Sequence, residues 1–216
     1  MKKLLAGVLL SASVLGVCVL GGTAFAAIDE QDTEVGIGFT GHSPGTSGDL
    51  EFKWRPDKFD FGNANTINTI ATDFPEDSGS NKYVIISDDR VAAITNEWKV
   101  TVKMSKLMSG SAQLSGAVLN FDAEKKAYNG TGVEAPEAAG MISAATAAHT
   151  ATVTATQSLP QDGAAVVAMT DSGAAGSYKG MTAMELSNIE LAVPANIAQS
   201  GKQYTGKVTW SLDDAI

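Results

Sequence analysis

Hydrophobic residues recur at every second position through much of this chain. Leu50, Phe52 and Trp54 alternate with Glu51, Lys53 and Arg55, and Trp98, Val100, Val102 and Met104 alternate with Lys99, Thr101, Lys103 and Ser105. Ala117, Leu119 and Phe121 repeat the rhythm, as do Ile189, Leu191 and Val193. It is clearest near the C-terminus, where Tyr204, Gly206, Val208, Trp210 and Leu212 interleave with Thr205, Lys207, Thr209 and Ser211. Successive side chains of a strand point to opposite faces, so the pattern predicts half-buried strands with the apolar side on a core. Turn-forming clusters separate them: Pro75-Glu76-Asp77-Ser78-Gly79-Ser80, Asn129-Gly130, Gln161-Asp162-Gly163 and Asp171-Ser172-Gly173. Many short strands at this spacing predict an all-β chain, a single antiparallel β-sandwich of jelly-roll or Greek-key kind. Only residues 138–148, rich in alanine, permit a helix. The Thr-Ala alternation over 150–156 argues for a strand.

The N-terminus breaks this rhythm. Lys2 and Lys3 precede an uncharged apolar run over residues 4–20, Gly21 and Gly22 interrupt it, and Ala24-Phe25-Ala26 supplies small residues around a cleavage site. That order predicts a secretory signal peptide over residues 1–26, cut after Ala26. The run approaches the ~20 apolar residues of an uncleaved membrane anchor, but the glycine pair and cleavage pattern favour removal. Lipoprotein processing at Cys18 wants a small residue before the cysteine, and Val17 stands there. Residues 27–47, acidic and then rich in Gly, Ser, Pro and Thr, are expected to form an arm or edge segment. Residues 48–216 are the expected domain.

Cleavage removes the one cysteine, so the mature chain rests on its core without a disulfide. It also removes Lys2 and Lys3, leaving 13 basic against 24 acidic side chains, a net charge of −11. A chain so acidic is repelled by nucleic acid, and no nucleic-acid partner is expected. No membrane contact is expected after cleavage.

Catalytic motifs do not survive inspection. Gly41-His42-Ser43-Pro44-Gly45 spells a G-x-S-x-G elbow, but that device needs a sheet before it and a helix after it. Here a strand pattern follows at Leu50, and His149 is the only other histidine to serve as base. Two histidines and no mature cysteine argue against zinc. Asp88-Asp89 and Asp213-Asp214 point to alternate faces of a strand, so neither is a two-carboxylate site by itself. Asp77-Ser78-Gly79-Ser80-Asn81 is oxygen-rich but lacks calcium-loop spacing. Asn129-Gly130-Thr131 spells a glycosylation sequon and reads better as a tight turn. Leu159-Pro160-Gln161-Asp162-Gly163 has the wrong fourth residue for a sortase signal, and no hydrophobic tail follows it. No catalytic residue, metal or cofactor is expected.

The C-terminal sequence carries a specific resemblance. Tyr204-Thr205-Gly206-Lys207-Val208-Thr209-Trp210-Ser211-Leu212-Asp213-Asp214-Ala215 closely resembles the closing signature of WxL-domain proteins of Gram-positive cell surfaces, named for two Trp-x-Leu motifs. Upstream, Gly48-Asp49-Leu50, Phe61-Gly62, Asp88-Asp89-Arg90, Trp98-Lys99-Val100, Leu114-Ser115-Gly116 and Leu191-Ala192-Val193-Pro194 fit in order. Val100 replaces the usual leucine of the first motif, Glu97 a common glycine, and Ile216 a frequent final proline. The resemblance implies a secreted protein held non-covalently to peptidoglycan. It further implies WxL-interacting proteins and other WxL surface proteins as partners, with Trp98, Lys99, Val100 and Trp210, Ser211, Leu212 as motif residues.

An indole ring can stack on a sugar face. Yet Trp98 and Trp210 run in phase with Val100, Val102, Val208 and Leu212, which predicts burial. Their polar neighbours Lys99, Lys103 and Lys207, with Thr101, Thr205 and Thr209, are then expected on the outer face. There Lys103 and Lys207 are candidate contacts to acidic groups of the wall or a partner. An adhesin or carbohydrate-binding module, and a jelly-roll glycan hydrolase, are the competing readings.

Overall fold

The structure is a computed structural model that describes residues 29–35, 42–44, 50–90, 97–172 and 178–214. The expected signal peptide, Gly41 and Gly45 of the serine motif, Gly48-Asp49, and Ala215 with Ile216 lie outside the described residues.

Among the described residues every regular element is a strand. In chain order they are β1 (Asp29–Val35), β2 (His42–Pro44), β3 (Leu50–Pro56), β4 (Lys58–Phe59), β5 (Thr72–Pro75), β6 (Lys82–Asp88), β7 (Trp98–Met104) and β8 (Met108–Ser109). They continue with β9 (Ala112–Gln113), β10 (Val118–Tyr128), β11 (Ile142–Ala144), β12 (Thr152–Val153), β13 (Thr156–Pro160), β14 (Val166–Asp171), β15 (Gly180–Val193) and β16 (Gly206–Asp213).

Two sheets form from these strands. The first runs β12-β14-β7-β16-β1-β4 and is antiparallel except where β1 meets β4 in parallel. The second runs β11-β10-β15-β6-β3-β2, with β13 also on β10 and β5 also on β15. A small β8-β9 hairpin stands apart. The segment expected as an arm thus contributes β1, which pairs with β16 from Asp29↔Leu212 to Val35↔Gly206.

The inner faces of the two sheets close over one core. Val100, Val102 and Met104 of β7 and Val208, Trp210 and Leu212 of β16 cluster with residues of the second sheet, among them Phe52, Ile86, Phe121 and Leu186. The Phe121 and Trp210 rings meet with centroids 6.3 Å apart and planes tilted by 46°, within the range of favourable aromatic pairs. This is the expected all-β sandwich.

Two details differ from the alternation read in the sequence. Leu50 and Phe52 enter the main core, but Trp54 packs with Ile85, Tyr128 and Ala183 on the opposite face of the second sheet. The pairing of β3 with β6 shifts register between Phe52 and Trp54, a bulge that turns the next side chain over. A second register shift separates the pairs Asn120↔Glu190 and Asp122↔Ser187 in β10 and β15. It lets both Leu186 and Ile189 reach the core. Residues 138–148 form no helix; they hold β11 and turns.

Candidate functional site

The two tryptophan motifs lie side by side. β7 and β16 are antiparallel neighbours with Val102 opposite Trp210 and Val100 opposite Leu212. The alternating apolar residues of both strands therefore share a face, and it is the buried one. Trp98 is 2% exposed, and Val100, Trp210 and Leu212 are 0% exposed. A sealed indole offers no face to a sugar ring, so the tryptophans are core residues, as the phase of their strands predicted. Lys99 and Ser211 point the other way and are half-buried.

Lys103 and Lys207 are exposed on that outer face, and the register sets Lys103 beside Thr209 and Lys99 beside Asp213. On the far side of β16, β1 puts Glu30, Asp32 and Glu34 at the register positions of Ser211, Thr209 and Lys207. The lysine-threonine surface is therefore bordered by three acidic register positions.

A second feature lies where the core opens at one end of the sandwich. A cleft of about 840 Å³ is floored by Phe61, Phe74, Leu114, Leu191 and Val193. Its walls are two loops, one carrying Asn63, Asn65 and Thr66, the other Gln199, Ser200 and Gln203 up to Tyr204. Local hydrogen bonds explain their shape. The Gly62 N–H donates to the Asp60 carboxylate at 2.9 Å, and Gly62 sits at φ 78°, a left-handed turn that favours glycine. Burial raises the Asp60 pKa, but hydrogen bonds from Lys58 and Gly62 outweigh it and hold the carboxyl below its ordinary value. Asn65 Nδ2 donates to the Phe61 carbonyl at 2.5 Å.

Asn68 then ties the first loop to the end of β15 and the turn after it. Its buried side-chain Nδ2 donates to the carbonyls of Val193 at 3.1 Å and Pro194 at 3.0 Å, and its backbone carbonyl accepts from the Asn196 N–H at 3.0 Å. On the other wall the Tyr204 hydroxyl accepts from the Gln199 N–H at 3.2 Å. Two residues further, Gly206 passes close under the chain: a Cβ there would come within 2.8 Å of the Lys106 carbonyl oxygen.

The lining also gathers residues that carried the family resemblance. Phe61-Gly62, Leu114, Leu191, Val193 and Tyr204 all border the cleft, whereas the tryptophans that name the motif do not. The amide-bearing loop residues were not singled out in the sequence. Their signal is two polar, acid-free runs, Asn63-Ala64-Asn65-Thr66 and Gln199-Ser200-Gly201-Lys202-Gln203, beside signature positions.

The other sequence candidates are structural. Asp88, 1% exposed at the end of β6, accepts a bidentate pair from Arg90 Nε and Nη2, both at 3.0 Å, and a third bond from Lys179 Nζ at 3.1 Å. A buried carboxylate so surrounded ties the end of β6 to Lys179, just ahead of β15. His149 is buried, stacks on Tyr178 with centroids 4.2 Å apart, and receives the Thr146 N–H on Nδ1 at 3.2 Å. Ser43 lies within β2, a strand at the edge of the second sheet rather than a strand-to-helix turn. Among the described residues no three His, Cys, Asp or Glu side chains gather as a metal site would need. Nor is any described helix long and apolar enough to cross a membrane.

A family model described as WxL domain, surface cell wall-binding, matches residues 27–215, nearly the whole chain. No curated protein and no solved structure matches it.

Proposed function

The chain belongs to the WxL-domain family of surface cell wall-binding proteins, and from that membership we propose that it holds itself non-covalently to peptidoglycan within a multi-protein surface assembly. The family match over residues 27–215 carries this reading. It is a wall-binding family rather than a catalytic one, and its members work at the cell surface. Binding rather than turnover is accordingly the proposed role, with WxL-interacting proteins and other WxL surface proteins as partners.

Lys103 and Lys207 are the proposed polar contacts for carboxylates of peptidoglycan stem peptides or of a partner. In support, β7 and β16 adjoin in one sheet and both lysines are exposed on its outer face. Attraction between such exposed charges fades toward molar salt, where the Debye length falls to ~3 Å. Non-covalent attachment has its own test. A chaotropic salt that breaks no covalent bond should strip the intact chain from whole cells, with its partners in the same eluate. Retention through boiling detergent until a muramidase cuts the wall would overturn the reading.

The alternative of an adhesin or carbohydrate-binding module draws support from the amide-bearing cleft, which suits an external glycan equally well. Binding to host glycans with no affinity for purified walls would favour it.

A further inference from the structure

We infer that the end cleft is a sugar-binding site that takes the N-acetylated glycan strand of the wall; this rests on the wall-binding reading and gives it a location. Four properties of the cleft carry the inference.

Its volume of about 840 Å³ lies within the range of small-molecule sites, roughly 300–1,000 Å³. Its polar groups are mostly neutral. Asn63, Gln199 and Gln203 present primary amides, Thr66 and Ser200 hydroxyls, and no Asp or Glu is among the described residues lining it. On a chain of net charge −9 the absence of acid there is a marked local departure. Primary amides both donate and accept, which suits sugar hydroxyls and acetamido groups. The loop of Gln199, Ser200 and Gln203 carries no acid, whereas the Asp60 and Asp77 carboxylates lie behind Gly62 on the other side. The lactyl and stem-peptide carboxylates of a wall strand therefore fit best along the loop of residues 199–203. Lys202, the cation of the lining, is placed to meet one of them.

Tyr204 adds a half-exposed aromatic whose hydroxyl is held by the Gln199 N–H. A ring face fixed in this way can receive the apolar face of a pyranose. Asn68 clamps one wall to the end of β15, at Val193 and Pro194, so that wall is preformed and little ordering entropy of its loop opposes binding. The tryptophans are sealed and the outer sheet face is mixed in charge, so neither supplies this combination.

The probe is chitotetraose, a tetramer of N-acetylglucosamine, titrated into isotope-labelled protein, with cellotetraose as the control lacking acetamido groups. Backbone resonances of Asn63, Gln199 and Gln203 should shift saturably with chitotetraose, and at least tenfold more weakly with cellotetraose. A Gln199→Ala, Gln203→Ala double variant should weaken binding at least tenfold, both to the oligomer and to purified walls. Thr66→Trp, which fills the opening from an exposed position, should do the same; both variants should melt like the parent. No shift with chitotetraose, equal shifts with both sugars, or unchanged wall binding by the folded variants would each overturn the inference. Oligomer shifts at these residues without binding to walls would uphold the sugar site while removing the wall reading beneath it.

Discussion

Trp210 contributes to this protein by filling space. Its ring is fully sealed and meets Phe121 between the sheets, so truncation leaves a void that the flanking strands close only in part. Trp210→Ala should cost about 3–5 kcal/mol, read as a lower urea midpoint at unchanged slope. Wall binding should then fail only together with the fold. A variant that melts like the parent yet no longer binds walls would show the ring to be a ligand contact. His149 contributes through its burial. Desolvation, with Lys125 nearby, outweighs the raising effect of the Thr146 backbone and holds the imidazole pKa below its ordinary value of 6.5. The unfolded chain therefore binds this proton at a pH where the folded chain does not. The stability associated with neutral His149 is complete above about pH 6.5 and drains away as pH falls through the lower folded value. The melting temperature should decline as pH drops from about 7 to 5, and His149→Gln should flatten that part of the profile. An unchanged profile would deny the linkage.

At the scale of elements, the bulges and the first strand control which side chains reach the core. Asn188 sits at φ 48°, and its Nδ2 donates to Asp122 Oδ2 at 2.7 Å. A β-branched residue bears the left-handed penalty of about 1–2 kcal/mol that asparagine largely escapes. Asn188→Val should destabilise by at least that amount, and Asn188→Gly by less; equal melting of the two variants would refute the assignment. β1 covers the backbone edge of β16 along seven residues. A chain lacking residues 29–35 should melt lower and self-associate, because β16 then presents open donors and acceptors. Sedimentation showing an equally stable monomer would contradict this. Strands buried on one side were legible in the sequence: β7 and β16 match their alternation residue by residue. β6 was not. It lies between β15 and β3, with Val84 and Ile86 in the main core and Ile85 in the second cluster. An apolar residue at each successive position erases the period of two. Trp54 misled for a related reason, since a bulge reverses facing without leaving a mark in the hydrophobic pattern.

Across the whole molecule, the division of labour separates fold from contact. The tryptophans that make the chain recognisable pack between the two sheets, while the proposed ligand contacts are loops at one end of the sandwich and the lysine-bearing sheet face. The family and the all-β class could be read because the strands bearing the signature are regular. The cleft could not. Most of its lining comes from residues 61–74 and 191–204, more than a hundred positions apart in the chain and joined by the Asn68 hydrogen bonds. Such a meeting of loops has no local periodicity to report it. The central claim, that this folded chain is itself a wall-binding module, is tested most directly by sedimenting purified protein with walls stripped of all other protein. The account predicts saturable pelleting with no partner present, lost when the chain is unfolded. Protein that stays in the supernatant at every wall concentration, while a partner alone restores binding, would contradict it.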